Sequence, residues 1–131
     1  FAMGKFGRDY HFDEAKAADY LNLHATAPNF AAWIAEEDGQ LLGGLGAYMT
    51  DTFFGNDRLA YDDSLFVLPT AQNKGIGKLL INAYVDWARE QGCKAAHITV
   101  TSGIDEQQST QKILSLGFEH LGYLTRKTLE D

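Results

Sequence analysis

The sequence predicts an α/β domain of the α+β kind, with a mixed, mostly antiparallel sheet and helices on both of its faces. Three consecutive strand patterns with short connections indicate an antiparallel meander. A strand–helix–strand pattern follows them and requires a parallel pair joined by a crossover. The chain has 131 residues, of which 45% are hydrophobic. We therefore expect residues 1–131 to form a single domain with its own core.

The first half of the chain contains one predicted helix and three predicted strands. The helix covers 13–24, and the strands cover 30–36, 41–49 and 59–68. Asp13 begins the helix, which is weakly amphipathic, and Pro28 breaks the segment after it. Asp38 and Gly39 form the turn between the first two strands because both tolerate a positive φ. Pro69 stops the third strand. The apolar face expected for the helix consists of Ala15, Ala18 and Leu21.

The second half begins with a helix over 75–91, which has the clearest periodicity in the sequence. Its apolar residues recur every 3.6 positions: Ile76, Leu79, Leu80, Ala83, Tyr84, Trp87 and Ala88. Gly92 stands where a left-handed C-terminal cap is expected. A buried strand over 95–101, a helix over 106–116 and one or two closing strands over 119–129 complete the prediction.

Charge and cysteine content exclude several classes of partner. The net charge is −7, from 18 acidic and 11 basic residues, which disfavours non-specific nucleic-acid binding. No apolar run is long enough to span a bilayer, and no signal-peptide pattern opens the chain. The single cysteine, Cys93, indicates a reducing cytoplasm. We expect a cytoplasmic protein that binds neither nucleic acid nor membrane. A cationic amine suits the acidic balance, although the charge also keeps a protein in solution.

The segment 65–78 carries the strongest functional signal. An apolar strand ends at Pro69, and a Gly-x-Gly sequence at 75–77 opens the long helix. Glycines let a ligand approach the backbone, and the free N–H groups and dipole of a helix N-terminus favour an anion. These features predict a phosphate or pyrophosphate site, to which Lys74 and Lys78 add charge.

Two common phosphate motifs do not fit this segment. A dinucleotide fingerprint needs a third glycine where Leu80 stands. A P-loop needs a glycine at Gln72 and a serine or threonine at Leu79. A tight turn that requires two glycines remains the alternative explanation.

The same segment resembles the pyrophosphate loop of the GNAT N-acetyltransferase superfamily. That loop has the form Gln/Arg-x-x-Gly-x-Gly/Ala, and residues 72–77, Gln-Asn-Lys-Gly-Ile-Gly, match every fixed position. A preceding strand that ends in x-Val-x-Pro and a later helix that ends in Leu-Gly-Phe, here 116–118, are also typical. The resemblance extends from about residue 13 to the C-terminus. The family usually has a further N-terminal strand and helix, so the resemblance implies that the chain is N-terminally incomplete.

The resemblance implies acetyl-CoA as cosubstrate, no metal, and direct transfer to a primary amine in a ternary complex. The parallel strands 59–68 and 95–101 would splay apart in a V near the thioester, and the amine would enter from the opposite side. The N–H of Leu65 would stabilise the developing oxyanion. The residues implied to bind the cofactor are Leu65, Phe66, Val67, Gln72, Asn73, Lys74, Gly75, Ile76, Gly77 and Lys78.

Two positions depart from the family pattern. The last helix usually carries a tyrosine four residues before the glycine, as general acid to the leaving thiolate, and Ile113 stands there. The usual asparagine at the start of that helix falls on Glu106. Either another group protonates the sulfur, for which we expect Tyr123 on the closing strand, or no group needs to. The alternative for Tyr123 is a half-buried strand aromatic.

Two adjacent carboxylates in the third strand suggest a general base. Asp62 and Asp63 would point to opposite faces, and acidic residues are depleted in strands. Asp63 would share a face with Tyr61, Leu65 and Val67, and that face would line the thioester. There it could take a proton from an ammonium substrate. The alternative is that both residues only begin the strand at a solvated edge.

Other interpretations stay open at the level of sequence. Ile113 is compatible with a non-catalytic CoA-binding or sensory module of the same fold. An interaction domain that binds no nucleotide is the third class. The four histidines show no metal-ligand spacing. The acceptor, a small-molecule or peptide amine, is not identified, and a homodimer is an open possibility.

Overall fold

The computed structural model describes residues 13–72, 74–99, 106–122 and 124–129. The helices in these ranges are α1 (Glu14–Thr26), α2 (Ile76–Glu90) and α3 (Glu106–Leu114). The strands are β1 (Phe30–Glu37), β2 (Gln40–Asp51), β3 (Arg58–Val67) and β4 (Ala95–His97). A short 3-10 turn, Pro69–Ala71, connects β3 to the approach of α2.

The four strands form one sheet in the order β1-β2-β3-β4. The pairs β1–β2 and β2–β3 are antiparallel, and the pair β3–β4 is parallel. The turn between β1 and β2 has positive φ at Asp38 (52°) and at Gly39 (79°), as predicted. The predicted class, a mixed and mostly antiparallel sheet with helices, is therefore confirmed.

The helices α1 and α2 lie on opposite faces of the sheet. On β1, Phe30 makes an edge contact with the ring of His24 in α1, at 5.1 Å between centroids. Trp33 contacts Tyr84 and Trp87 of α2, at 6.1 and 5.6 Å. Because residues 30 and 33 of a strand point to opposite faces, the helices cover both sides, as predicted.

The helix α2 supplies most of the buried helical surface. Its buried residues are Ile76, Leu80, Ile81, Tyr84 and Ala88, on the stripe that the sequence indicates. Gly92 has φ 78°, the left-handed cap that was expected.

The helix α1 begins as predicted but buries a different face. The Asp13 side chain accepts a hydrogen bond from the Lys16 amide, at 3.1 Å, as an N-cap residue does. The expected apolar face is wrong, since Leu21 is 66% exposed and the buried residue is His24. A polar contact with the sheet, described below, decides the orientation of this helix.

A β-bulge interrupts the pairing of β2 with β3. Gly46 is opposite Ser64 and Ala47 is opposite Asp62, so Asp63 is an extra residue on β3. A bulge shifts the alternation of side chains by one position. The expectation that Asp63 shares a face with Leu65 is therefore wrong.

Contacts on the two faces show this change of phase directly. Before the bulge, Tyr61 stacks on Tyr48, and the Asp63 carboxylate contacts His24 of α1. After the bulge, Val67 lies next to α2, with its Cγ2 atom 3.8 Å from a Cβ built on Gly77. Leu65 is two residues before Val67 and faces the same way.

Two predicted strands differ in the structure. The parallel strand ends at His97 rather than at residue 101, and residues 100 and 101 lie outside the described ranges. The closing strand is absent from 119–122 and 124–129. Leu121 and Leu124 there are 73% and 72% exposed. A strand of a stable sheet needs a covered face, and the residues of 119–122 and 124–129 are exposed.

The residues 106–122 and 124–129 belong to a second compact unit, separate from the one that contains the sheet. Within it, α3 ends at Leu114, two residues earlier than predicted. Gly117 follows with φ 95°, as expected of a residue that ends a helix. None of the helices in the described ranges is long and apolar enough to cross a membrane.

Candidate active site

In the described part of the chain, the parallel pairing of β3 with β4 ends after three residues. Leu59, Ala60 and Tyr61 pair with 95–97, while β3 continues to Val67. The next polar contact between the two chain segments is made by a side chain, because Asp62 Oδ1 accepts the Thr99 N–H at 3.0 Å. A carboxylate therefore stands where a backbone carbonyl would continue the ladder. Beyond this bond, β3 has no strand paired to this edge among residues 13–72 and 74–99, and we call this unpaired edge of β3 the β3–β4 gap.

The N–H groups of Leu65 and Val67 lie on this unpaired edge of β3. The Leu68 N–H donates to the Leu42 carbonyl at 2.8 Å, which makes this pair hydrogen-bonded. Hydrogen-bonded pairs alternate in an antiparallel ladder, so the N–H groups of Leu65 and Val67 point away from β2. The side chain of Gln72 agrees with this direction, since its Nε2 donates to the Val67 carbonyl at 2.8 Å.

The N-terminus of α2 lies beside the end of β3. Gly75 adopts a left-handed conformation, with φ 75°, and precedes the first helical residue. The first intrahelical bond joins the Leu79 N–H to the Gly75 carbonyl, at 3.1 Å. The amides of Ile76, Gly77 and Lys78 therefore have no acceptor within the helix.

Space above these amides is open in the described part of the chain. A Cβ on Gly77 would meet only Val67, in ordinary contact, and a Cβ on Gly75 would meet nothing within 4 Å. Lys74 and Lys78 are exposed. Asn73, which was expected to bind the cofactor, lies outside the described residues.

On the face towards α1, Asp63 is the centre of a hydrogen-bonded cluster. Its Oδ2 atom lies 2.6 Å from His24 Nε2 and accepts the Tyr20 hydroxyl at 2.9 Å. Its Oδ1 atom accepts the Ser64 hydroxyl at 3.2 Å. Gly46 permits the cluster, because a Cβ there would lie 2.5 Å from Asp63 Oδ1. Burial and the adjacent carboxylate raise the pKa of Tyr20 to about 12, so its hydroxyl stays a donor.

Asp62 has different surroundings from its neighbour. Burial raises the pKa of its carboxyl group to about 6, although the hydrogen bond from the Thr99 amide acts in the opposite direction. A group with that pKa changes its charge near neutral pH, which makes Asp62 a second carboxylate of interest.

A row of stacked rings crosses the strands next to the cluster. The Tyr61 ring lies 5.7 Å from that of Tyr48 and 4.4 Å from that of His97. The hydroxyl of buried Tyr84 bonds to both the carbonyl and the amide of His97, at 2.9 and 3.2 Å. His97 Nδ1 lies 2.9 Å from the Ala60 carbonyl, which only accepts, so Nδ1 carries a hydrogen. No described residue contacts its Nε2 by a hydrogen bond.

These groups divide the region into two sides. The gap and the N-terminus of α2 present backbone amides, which suit a pyrophosphate and a carbonyl oxygen. The α1 face presents the Asp63 carboxylate and the ring row, which suit a cationic group. Such an arrangement can bring an acyl donor and an amine to the two sides of one strand.

The structure brings together some of the predicted residues and leaves others apart. Leu65 and Val67 border the gap, and Asp63 lies at the bulge between Tyr61 and Leu65. Phe66 is 38% exposed and lies on the α1 face, where its ring is within 3 Å of a Cβ built on Gly44. Ile113 belongs to the second unit, and Tyr123 lies outside the described residues.

Sequence analysis missed His24 and Tyr20. Both are about 40 positions before Asp63, and no local pattern links them to a strand so far along the chain. The predicted stripe gives no signal for His24, because its residues Ala15, Ala18 and Leu21 are exposed in the structure. A buried polar residue needs a hydrogen-bonding partner, but the sequence did not show that His24 is buried. The described residues contain no group of three or more potential metal ligands.

A family comparison identifies the class of protein to which this site belongs. Residues 3–118 match the model of the Acetyltransferase (GNAT) family. The match includes β3, the glycine-rich loop and α2, which form the gap and the open amides. The chain therefore belongs to the GNAT acetyltransferase family.

Individual relatives are similar over most of this chain. An uncharacterized N-acetyltransferase, YjgM of Escherichia coli, is 30% identical over 106 residues, 80% of this chain and 60% of that protein. This chain thus spans less than two thirds of that relative. An aminoglycoside N(6')-acetyltransferase of Klebsiella aerogenes is 26% identical over 80% of this chain and 69% of its own length.

A solved structure supports the fold. AAC(6')-Iy in complex with a bisubstrate analog, CoA-S-monomethyl-acetylneamine, superimposes with a TM-score of 0.74 and 25% identity. The superposition covers 94% of this chain and 84% of that chain. The sheet with its helices is therefore the fold of GNAT acetyltransferases.

Proposed function

We propose that this protein transfers the acetyl group of acetyl-CoA directly to a primary amine, in a ternary complex. The observation that carries the proposal is the β3–β4 gap, into which the amides of Leu65 and Val67 point beside the open N-terminus of α2. Family membership supports the class of reaction, since the relatives are N-acetyltransferases by name.

The donor would lie along β3 and across the N-terminus of α2. Pyrophosphate is a suitable ligand for the amides of Ile76, Gly77 and Lys78, because three unsatisfied N–H groups and the helix dipole favour an anion. Lys74 and Lys78 would add charge from the surface. The Leu65 amide would donate to the thioester oxygen, where a hydrogen bond strengthens as negative charge develops.

The chemical step that we propose begins with Asp63. Its carboxylate takes a proton from the substrate ammonium, directly or through water, and frees the nitrogen lone pair. The nitrogen attacks the thioester carbon, a C–N bond forms, and the positively charged nitrogen then releases its second proton to water. Collapse of the tetrahedral intermediate breaks the C–S bond, and the electron pair goes to sulfur. Tyr123 remains our proposed proton donor to that sulfur.

The acceptor would be a cationic amine that reaches the α1 face. Aminoglycoside acetyltransferases among the relatives make aminoglycosides the first acceptors to test. The net charge of −7 favours a cation over an anion. The single cysteine supports a location in the reducing cytoplasm.

Two measurements test the proposal in sequence. Isothermal titration should show acetyl-CoA binding, and a CoA-release assay should then find turnover with at least one amine from a panel of aminoglycosides, polyamines and lysine peptides. Absence of acetyl-CoA binding by the folded protein would rule out the donor site. Binding without turnover on any amine would instead favour a CoA-binding or sensory module, the alternative that Ile113 suggests.

A further inference from the structure

His24 is a buried polar side chain with a bond at each ring nitrogen. It lies in the last turns of α1, and its side chain is 4% exposed. Nδ1 lies 2.9 Å from the Tyr20 carbonyl, one helical turn earlier, and Nε2 lies 2.6 Å from Asp63 Oδ2. The rings of Tyr20 and Phe30 contact the imidazole by their edges, at 4.9 and 5.1 Å.

These contacts determine where the imidazole carries its hydrogens. A carbonyl oxygen only accepts, so Nδ1 must donate to Tyr20. One proton then lies on the short line between Nε2 and Asp63 Oδ2, whichever of the two atoms holds it. The same Oδ2 atom also accepts the Tyr20 hydroxyl, and its hydrogen-bonding capacity is used by α1.

The other carboxylate oxygen of Asp63 makes fewer hydrogen bonds than Oδ2. Asp63 Oδ1 accepts one bond, at 3.2 Å, from the adjacent Ser64 hydroxyl. Asp63 is the extra residue of the bulge, so the regular ladder does not fix its side chain. The bonds from His24 and Tyr20 replace that constraint, and they leave Oδ1 as the carboxylate oxygen that is not hydrogen-bonded to α1.

We propose that His24 is a positioning residue, which holds the Asp63 carboxylate so that Oδ1 faces the incoming amine. The proposal rests on the proposed function, because it gives Asp63 a substrate to meet. A residue of this kind acts on turnover rather than on donor binding, since displacement of a reacting group by about 1 Å can cost ~10²-fold in rate.

Composition of the pocket supports a role beyond packing. Aromatic rings surround the imidazole on two sides, and an apolar side chain would suit such a position. A buried polar group costs free energy unless its hydrogen bonds are made. His24 makes both of its bonds, and one of them reaches the residue that we propose as the base.

A matched pair of amide substitutions separates the two bonds of His24. His24→Asn places its amide near Nδ1 and keeps the bond to the Tyr20 carbonyl, but it is too short to reach Asp63. His24→Gln places its amide near Nε2 and keeps the bond to Asp63. Thr26→Ala, which removes only the 2.8 Å bond to the Asn22 carbonyl in the same helix, is the control.

We expect His24→Asn to lower kcat by about 10- to 100-fold, with acetyl-CoA affinity unchanged by isothermal titration. We expect His24→Gln and Thr26→Ala to stay within about 3-fold of the parent, a small change against the ~10²-fold effect of displacing a reacting group. A purely structural role would lower both amide variants alike, together with their melting temperatures. If His24→Asn and His24→Gln change kcat equally, or if neither changes it, the inference is overturned. Turnover by the parent protein would still support the proposed function in that case.

A spectroscopic measurement covers the case in which His24→Asn does not fold. ¹⁵N NMR of the parent should show His24 with a hydrogen on Nδ1, and Asp63→Asn should change the Nε2 resonance of that ring. If the Nε2 resonance is the same in Asp63→Asn as in the parent, the hydrogen bond between His24 and Asp63 is refuted. Turnover absent from the parent on every amine would count against the proposed function itself.

Discussion

At the scale of single residues, Asp62 and Asp63 are adjacent in sequence and opposite in surroundings. The Asp63 carboxylate is hydrogen-bonded to the Tyr20 and His24 side chains of α1 and to the Ser64 hydroxyl. Asp62 takes the amide of Thr99 across the start of the β3–β4 gap. Two different experiments therefore separate these carboxylates, one on turnover and one on folding.

Asp63→Asn should keep acetyl-CoA affinity and lower turnover by at least ~10²-fold, because loss of a general base typically costs 10²–10⁴ in rate. The amide has nearly the same shape, so the bulge should persist. Steady-state kinetics with the best amine, next to isothermal titration with acetyl-CoA, would measure both effects. Parental turnover in this variant would move the base elsewhere, and His97 Nε2 would be the next group to examine.

Asp62→Asn should instead change how stability depends on pH. The folded state holds the Asp62 proton more tightly than the unfolded state does, because its pKa is raised from 3.8 to about 6. The free energy of unfolding therefore falls as pH rises from about 4 to about 6, by on the order of 2–3 kcal/mol, and this contribution is constant above that range.

Asparagine has no charge to bury, and its Oδ1 can still accept the Thr99 amide. Urea unfolding between pH 4 and pH 8 should show the variant gaining stability over the parent across the window and keeping the gain at pH 8. Parallel curves for the two proteins would contradict the assignment.

At the scale of elements, local signals were enough wherever a few neighbouring residues decide the structure. Asp38-Gly39 gave the turn, the period of residues 76–88 gave α2, and Gly92 gave its cap. The bulge at Asp63 could not be predicted in this way, because it depends on which residue of β2 stands opposite. The burial of His24 depends on the same distant pairing.

Part of the candidate site was also accessible from local sequence. The glycines at 75 and 77 indicate the open N-terminus of α2, since their spacing relative to the helix is a local property. To predict the direction of the Leu65 amide, one must know the register of β3 with β2. To predict the Asp63 cluster, one must know where α1 packs on the sheet. Neither can be derived from the strand alone.

Gly77→Asp should abolish acetyl-CoA binding while the protein stays folded. A Cβ at this position makes only an ordinary contact with Val67, and a carboxylate in the first turn suits the helix dipole. The same charge would repel a pyrophosphate at the amides. Lys74→Ala should weaken binding only mildly. If isothermal titration shows that Gly77→Asp binds acetyl-CoA with the affinity of the parent, the phosphate site is elsewhere.

At the scale of the whole molecule, we expect the net charge and the α1 face of β3 to favour particular acceptors. The acceptor should be a cationic amine, and activity should rise towards alkaline pH as the amine loses its proton. Lysine-like amines have pKa values near ~10.4, so few molecules are neutral at pH 7. A screen of acceptors at pH 6–9 would test both statements. Substrates that are all anionic, or all alcohols, would contradict them.

The bulge at Asp63 reverses, partway along β3, which residues of the alternating pattern face each helix. Up to and including the bulge, Tyr61 and Asp63 face α1. Beyond it, Leu65 and Val67 face α2. In a regular strand of the same sequence, Tyr61, Asp63, Leu65 and Val67 would all lie on one face. Deletion of Asp63 would leave a regular ladder in which Tyr61 still faces α1 and Leu65 and Val67 still face α2, so the extra residue adds a carboxylate on the α1 side without turning either set.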